Sequence, residues 1–495
     1  MSTATPTPGA PTLSPYSTPT TGAAIDLFLD ANEGPGGCVD VARLAALLPS
    51  DATRRYAGPI VLEQQLGAVL GLNPARVLVT AGGDEAIDRT CRTFLTPGRE
   101  LILPTPTFEM IGRYAQQAGA TVAPTPWNPG PYPVDRVLEL VNPRTAMIAV
   151  VSPNNPTGSV ASASDLRRLA EAAPNAVLLV DLAYTEFADE DLTRAALELP
   201  NAVVIRTFSK AYGLAGLRVG YALGSENVIG SLRAHGSPFP VSTLSLAVAA
   251  EALRRSADYL PGVVSRVRAE RSELGVLLRE LGANPLPSQG NFILAEFADA
   301  DWVWRALASL GIGVRRYKPG VGLDRALRIT CPGDATSLTR LTHGLQQAMR
   351  PGTIVVATDD LDAPLWNDAN TTALRRLAAR LPVVLVTRVA RDRCERELRD
   401  RGLEGVCAGV IAAEGLDDRA TAEALTGTLT RLQAAPGWMV STSPDFLPAP
   451  SAASRLIPLG WVAPGTLGGQ GAEQLRRAGA ARVVDSLLSL EDLLS

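Results

Sequence analysis

Short apolar runs that stop at a lone polar residue or a glycine-rich turn recur along the first 350 residues. Residues 77–80 run into Ala81-Gly82-Gly83-Asp84, and residues 146–151 into Ser152-Pro153-Asn154-Asn155-Pro156-Thr157-Gly158. Residues 177–180 end at Asp181, and residues 202–205 lead into Arg206-Thr207-Phe208-Ser209-Lys210. Each reads as a strand delivering its polar tip into a turn. A further run, from Ile25, ends in a polar Gly/Pro turn, and Pro104-Thr105-Pro106-Thr107-Phe108 breaks another. From about residue 245 the spacing becomes helical (Leu246, Val248, Ala249, Leu253), and an arginine-rich helix is expected over 261–281. Strand–helix alternation restarts after Pro351-Gly352, with strands at 353–358 and 382–386 and another ending at 439–441. The whole predicts an α/β protein whose second, smaller doubly wound unit follows the first. In an open parallel sheet, groups at the carboxyl ends of neighbouring strands converge on one crevice.

At 495 residues the chain is long enough for about three domains, and 46% apolar with 19% charged residues indicates a globular protein with ample core. A net charge of -4 gives no reason to expect nucleic acid or an anionic membrane as partner. No stretch approaches the roughly 18 apolar residues of a membrane span. The five cysteines are scattered without metal-type spacing and predict reduced thiols in a cytoplasmic protein, with no metal site. Two histidines are too few for a multi-histidine metal site. Residues 1–24 hold no charge and are rich in Thr, Pro, Ser and Ala, which reads as a disordered tail.

Charge usage singles out one residue. Lys210 and Lys318 are the only 2 lysines, against 44 arginines. A lysine kept in such a chain suits a task a guanidinium cannot perform: losing its proton to act as an amine nucleophile, as in a Schiff base. The alternative is a solvated loop cation. An amine, a carboxylate (Asp181) and an amide (Asn155) at neighbouring strand ends suit pyridoxal phosphate, which needs a lysine and an acidic partner for its pyridinium nitrogen.

On these residues the sequence resembles the fold-type I pyridoxal-phosphate aminotransferases, closest to the histidinol-phosphate aminotransferase branch, over about residues 25–350. Its most specific motif is Ser209-Lys210-x-x-x-Leu214-x-Gly216-Leu217-Arg218-x-Gly220. The resemblance implies a large, mostly parallel mixed-sheet domain (about 50–260) and a small α/β domain (25–49 and 261–350). It implies Lys210 as the cofactor lysine, with Asp181 at the pyridine nitrogen and Asn155 and Tyr184 at the phenolate oxygen. Thr207, Ser209 and Arg218 match phosphate ligands, joined by Gly83 and Asp84 at a helix start, where free N–H groups favour anions; Asp84 also suits an N-cap. Phe108 matches the ring that stacks on the pyridine face, though a lone phenylalanine also suits a core. Tyr56 matches a tyrosine reaching the partner subunit's cofactor phosphate in a homodimer, with a half-buried surface tyrosine as the alternative. On the substrate side stand Asn32, Arg328 for a carboxylate, and Arg315 for a substrate phosphate or else for the surface. Small amino donors and 2-oxo acids are implied as substrates, with glutamate and 2-oxoglutarate as the co-substrate pair. Three departures stand out: Ala57-Gly58 replaces Pro-Asp, Leu182 replaces Glu, and Pro238-Phe239-Pro240-Val241 lacks the usual asparagine. A decarboxylase of a phosphorylated amino acid shares these motifs.

Residues 352–495 resemble the haloacid-dehalogenase-like phosphatases. Asp360 and Asp362 match the paired aspartates and Thr387 the phosphate-binding hydroxyl. Ala363 replaces a glycine, Thr442 a magnesium aspartate, and no lysine follows Lys318. The expectation is a catalytically inactive unit; a working phosphatase is the rival reading.

Overall fold

The computed structural model describes residues 13–36, 39, 48, 50–361, 365–447 and 456–494. The largest sheet has seven strands in the spatial order Val77–Thr80, Gly220–Gly224, Ala202–Thr207, Val177–Asp181, Thr145–Val151, Glu100–Thr105, Thr121–Pro126. All pair in parallel except Gly220–Gly224, which is antiparallel to both neighbours. Four of these strands are the sequence-predicted runs, and their interiors are fully buried because helices cover both faces. Val79, Ile148, Leu178 and Val204 face one core and Leu78, Met147, Leu179 and Val203 the other, which is the alternation a pleat imposes.

A second sheet of five strands runs Leu27–Leu29, Ile312–Arg316, Ala326–Thr330, Phe292–Glu296, Asn284–Pro285. Residues near the amino terminus and residues near 320 are thereby neighbours. The long helix behind it spans Ser256–Glu280, starting five residues before the expected 261. Pro261 lies one turn inside, where its missing N–H removes a single bond and its fixed φ still suits a helix.

The third sheet has six strands, all parallel, in the order Gly409–Ala412, Val383–Thr387, Ile354–Thr358, Trp438–Ser441, Ile457–Trp461, Arg482–Val484. The order reverses beside the first strand of this unit, which makes it doubly wound as expected. One face does not belong to this unit alone. A single core cluster joins Ala306, Leu307, Leu341 and Leu345 of the five-stranded unit to Ile354, Leu385, Trp438 and Leu459. Trp302 meets Trp438 edge to face at 5.2 Å, and the Trp438 indole donates to the Gln347 carbonyl at 2.9 Å. The Gln347 amide donates to the Gly437 carbonyl at 2.8 Å, and Arg482 pairs with Asp299 at 2.6 Å. Among the described residues no helix is long and apolar enough to cross a membrane.

Candidate active site

A cavity of about 980 Å³ opens at the carboxyl ends of the central strands of the large sheet. Its lining includes Gly83, Asp84, Phe108, Asn155, Asp181, Tyr184, Thr207, Ser209, Lys210, Arg218, Arg315 and Arg328. Twelve residues singled out from strand ends and loops up to 245 positions apart thus face one space. Two others do not line it. Asn32, read as a substrate residue, is 1% exposed; its amide donates to Tyr184 Oη at 3.1 Å and its carbonyl oxygen accepts from Thr330 at 3.1 Å. Its place is behind Tyr184, because a buried amide must spend its polar groups on partners. Tyr56 is 84% exposed and stacks on Phe239 at 4.9 Å, away from this cavity. Of the phosphatase-like pair, Asp362 lies outside the described residues.

Asp181 closes its strand and is buried, its carboxylate accepting from the Ala183 N–H at 3.0 Å. Burial raises its pKa to about 7, against the lowering pull of that N–H and of Lys210. The Lys210 amine donates to the Ala31 carbonyl at 3.0 Å and stands 5.5 Å from the Tyr184 ring. Burial, and then the Arg328 charge, depress its pKa to about 8. Burial likewise lifts the Tyr184 phenol to about 12.

At one end Thr207 and Ser209 share a hydroxyl–hydroxyl bond of 3.0 Å, and Arg218 meets Asp84 at 2.8 Å. Arg218 adopts φ 53, a left-handed backbone that costs a non-glycine residue energy and that the surrounding loop imposes. Gly82 permits this approach: a Cβ there would lie 2.7 Å from the Arg218 guanidinium. At the other end Arg328, 6% exposed within its strand, donates to Asn155 Oδ1 and to the Asp30 carbonyl, both at 2.5 Å. Its Nε–H has no partner among the described residues. Arg315 pairs with Glu109 at 3.6 Å and donates to Tyr16 Oη at 3.0 Å. It therefore belongs to the cavity and not to the outer surface.

Sequence reading missed three contributors. Residues 13–24, expected as part of a disordered tail, run past the mouth and place Tyr16, Ser17, Thr18 and Pro19 on its lining. Tyr317 and Lys318 line the same mouth. Gly34 crosses the Lys210 backbone so closely that a Cβ would lie 1.5 Å from the Lys210 carbonyl oxygen. Only the lysine count carried a signal for any of these, and it pointed at Lys318 as well as Lys210.

The donor set fits pyridoxal phosphate. It offers an amine of lowered basicity, a buried carboxylate, a tyrosine and asparagine between them, and hydroxyl and guanidinium donors where a dianion is best received.

The sequence matches the family "Aminotransferase class I and II" over residues 25–345. It is 36% identical over 328 residues to the histidinol-phosphate aminotransferase of Paracoccus denitrificans, covering 65% of this chain and 89% of that protein. With the enzyme of the same description from Ruegeria pomeroyi it shares 37% over 322 residues, 63% of this chain and 89% of the relative. The crystal structure of histidinol-phosphate aminotransferase from Sinorhizobium meliloti, in complex with pyridoxal-5'-phosphate, superposes with a TM-score of 0.60 at 26% identity. That superposition covers 67% of this chain and 92% of the other.

Proposed function

The chain belongs to the class I and II aminotransferases, and on that premise we propose that it transfers the amino group of a phosphorylated amino alcohol such as L-histidinol phosphate to 2-oxoglutarate. It is a pyridoxal-phosphate enzyme resembling histidinol-phosphate aminotransferases. The observation that carries the substrate reading is the pair of guanidinium groups, Arg328 and Arg315, held in one cavity with Lys210 and Asp181.

Bound at this site, pyridoxal phosphate supplies an electron sink for the pair of electrons left when the donor's Cα loses its proton. Lys210 would hold the cofactor through its amine and, when freed, would carry the donor's Cα proton on Nζ as general base and then general acid. An amine already shifted to about 8 can hold and release that proton near neutral pH. Asp181 would supply the carboxylate partner of the ring nitrogen. A pyridinium charge beside it would offset the burial cost that lifts it to about 7. Tyr184 and Asn155 would donate to the phenolate oxygen, with Asn32 behind Tyr184 fixing its hydroxyl. Thr207, Ser209, Arg218 and the backbone N–H groups of the helix start at Gly83 and Asp84 would receive the cofactor phosphate. Arg328 receives the α-carboxylate of glutamate or 2-oxoglutarate through a two-donor fork, and Arg315 the substrate phosphate.

Tyr56 and Phe239 form an exposed aromatic pair, and Ile60 and Val61, a few residues along the chain, are exposed as well. Exposed apolar side chains of this kind suit burial against a second copy of this chain, with Tyr56 offered to the partner's cofactor phosphate.

The C-terminal unit is read as haloacid-dehalogenase-like and without phosphatase activity. Arg393 holds Asp360 at 3.2 Å, and Arg388 lies between Asp359 (3.0 Å) and Asp445 (3.4 Å), so these three carboxylates each face a guanidinium. Among the described residues no group of three or more His, Cys, Asp or Glu could hold a metal ion.

The test is the visible spectrum of the full chain with bound cofactor. The cofactor band should bleach on adding L-histidinol phosphate and return on adding 2-oxoglutarate. A band that bleaches only with other amino donors would discard this substrate.

A further inference from the structure

Within the four-residue stretch 315–318, Arg315, Tyr317 and Lys318 place three donors on the cavity lining, and the last two have no role in the chemistry above. Tyr317 Oη is buried inside this wall and has no hydrogen-bond partner among the described residues. Leaving a hydroxyl buried and unpaired costs about 1–3 kcal/mol, so its retention calls for a partner that arrives with the ligand. Lys318 Nζ donates to Ser17 Oγ at 3.0 Å, a neutral oxygen on the segment that crosses the mouth. Among the described residues no carboxylate lies within ion-pair distance of it.

The balance of charge at this end is positive. Arg315 and Lys318 face it, while the acid paired with Arg315, Glu109, sits at 3.6 Å and is half-exposed. Arg316 spends one nitrogen on the Asp324 carbonyl. The choice of lysine matters in a chain with 44 arginines. An ammonium on a four-carbon stem is a mobile point charge, whereas a guanidinium imposes a planar fork. Lys318 is followed by Pro319-Gly320-Val321-Gly322, with left-handed φ of 84 and 75 at the two glycines, a turn that sets the ammonium on the rim.

We infer that Tyr317 and Lys318 are specificity-determining residues, reading an anionic group at the end of the substrate remote from the reacting amine. The Tyr317 hydroxyl donates to that anion from inside the wall. Lys318 exchanges its bond to Ser17 for the anion from the rim. Arg315 supplies the fixed charge, and together the three match a group carrying two negative charges, a phosphate monoester, better than a single carboxylate. This rests on the transaminase reading of the same cavity.

The test compares donors that differ only at that end, L-histidinol phosphate and L-histidinol, in the first half-reaction of the cofactor-loaded full chain, followed by bleaching of the visible band. For Tyr317→Phe and Lys318→Ala, the half-saturating concentration of the phosphorylated donor should rise about tenfold each. The limiting rate should hold, and L-histidinol should respond less than twofold. Lys318→Arg should recover part of the loss. L-Glutamate, with a single distal charge, should shift by less than the phosphorylated donor; an equal or larger shift would assign the subsite to carboxylates and overturn the phosphate assignment. Equal losses with both histidinol donors, or no loss with either, would overturn the inference and leave transamination standing. A wild-type band that no amino donor bleaches would sink the transaminase reading itself, and this inference with it.

Discussion

At the scale of single residues the site is a pair of groups held away from their ordinary protonation. Lys210 is depressed to about 8 and Asp181 raised to about 7, both chiefly by burial. For the cofactor-free protein the sign follows directly. A buried carboxylate whose folded pKa lies above its unfolded 3.8 costs stability once ionised, so the penalty is complete above about 7 and vanishes as pH falls toward 4. Asp181→Asn removes it while keeping an oxygen for the Ala183 N–H. Cofactor-free Asp181→Asn is therefore expected to melt above cofactor-free wild type at pH 8, with the gap closing by pH 5; an unchanged gap across that range would show that the carboxylate is not buried as an anion. Turnover by the same variant should fall at least a hundredfold, since Asn cannot hold the ring nitrogen protonated. Lys210→Ala should abolish turnover yet still bind cofactor, measured as co-elution of pyridoxal phosphate without the wild-type visible band. Lys210 and Asp181 were legible in sequence because rarity and strand-end position mark them. Asn32 was misplaced because an amide beside a substrate and an amide behind a tyrosine look alike along a chain.

At the scale of elements, the segment 30–36 binds the small sheet to the large one. Asp30 accepts from Arg328, Ala31 from Lys210 and Asn32 from Asn291, while Pro35 accepts from the Tyr259 hydroxyl at 3.2 Å. Gly34 lies between these bonds, pressed on the Lys210 carbonyl. A methyl group cannot occupy that space, so Gly34→Ala must lift the segment off the lysine loop. We expect a loss of about 1–3 kcal/mol in stability by denaturant titration. Cofactor incorporation should be slowed as well, whereas Gly36→Ala, which meets nothing within 4 Å, should leave both unchanged. Strands and their order of use were readable from apolar runs. The crossing at Gly34 was not, because close approach of two backbones 176 positions apart leaves no periodic trace.

At the scale of the molecule, the C-terminal unit shares one core with the five-stranded unit. A chain ending at residue 350 would strip the Trp302 ring of its Trp438 neighbour and remove the Gly437 and Trp438 partners of the Gln347 amide and carbonyl, losses that weigh against a net stability of about 5–15 kcal/mol. Such a truncation is expected to aggregate on expression, and Trp438→Ala in the full chain to cost about 3–5 kcal/mol by thermal or denaturant unfolding. Independent, reversible folding of residues 13–350 would contradict the shared core. Dimerisation is tested at the same scale: Phe239→Asp should shift the full chain from twice its 52.0 kDa mass to once in light scattering. The doubly wound character of residues 352–494 was legible in the strand spacing. The face it presents to its neighbour was not, since a strand covered by its own helices and one covered by another unit's carry the same apolar run.

Two units with a common interior cannot be exchanged like cassettes. A gene that dropped its final third would lose the aminotransferase along with it, so selection for transamination alone suffices to keep the C-terminal unit in the reading frame. That constraint falls on its buried face and not on its strand ends, where the carboxylates of Asp359, Asp360 and Asp445 meet Arg388 and Arg393.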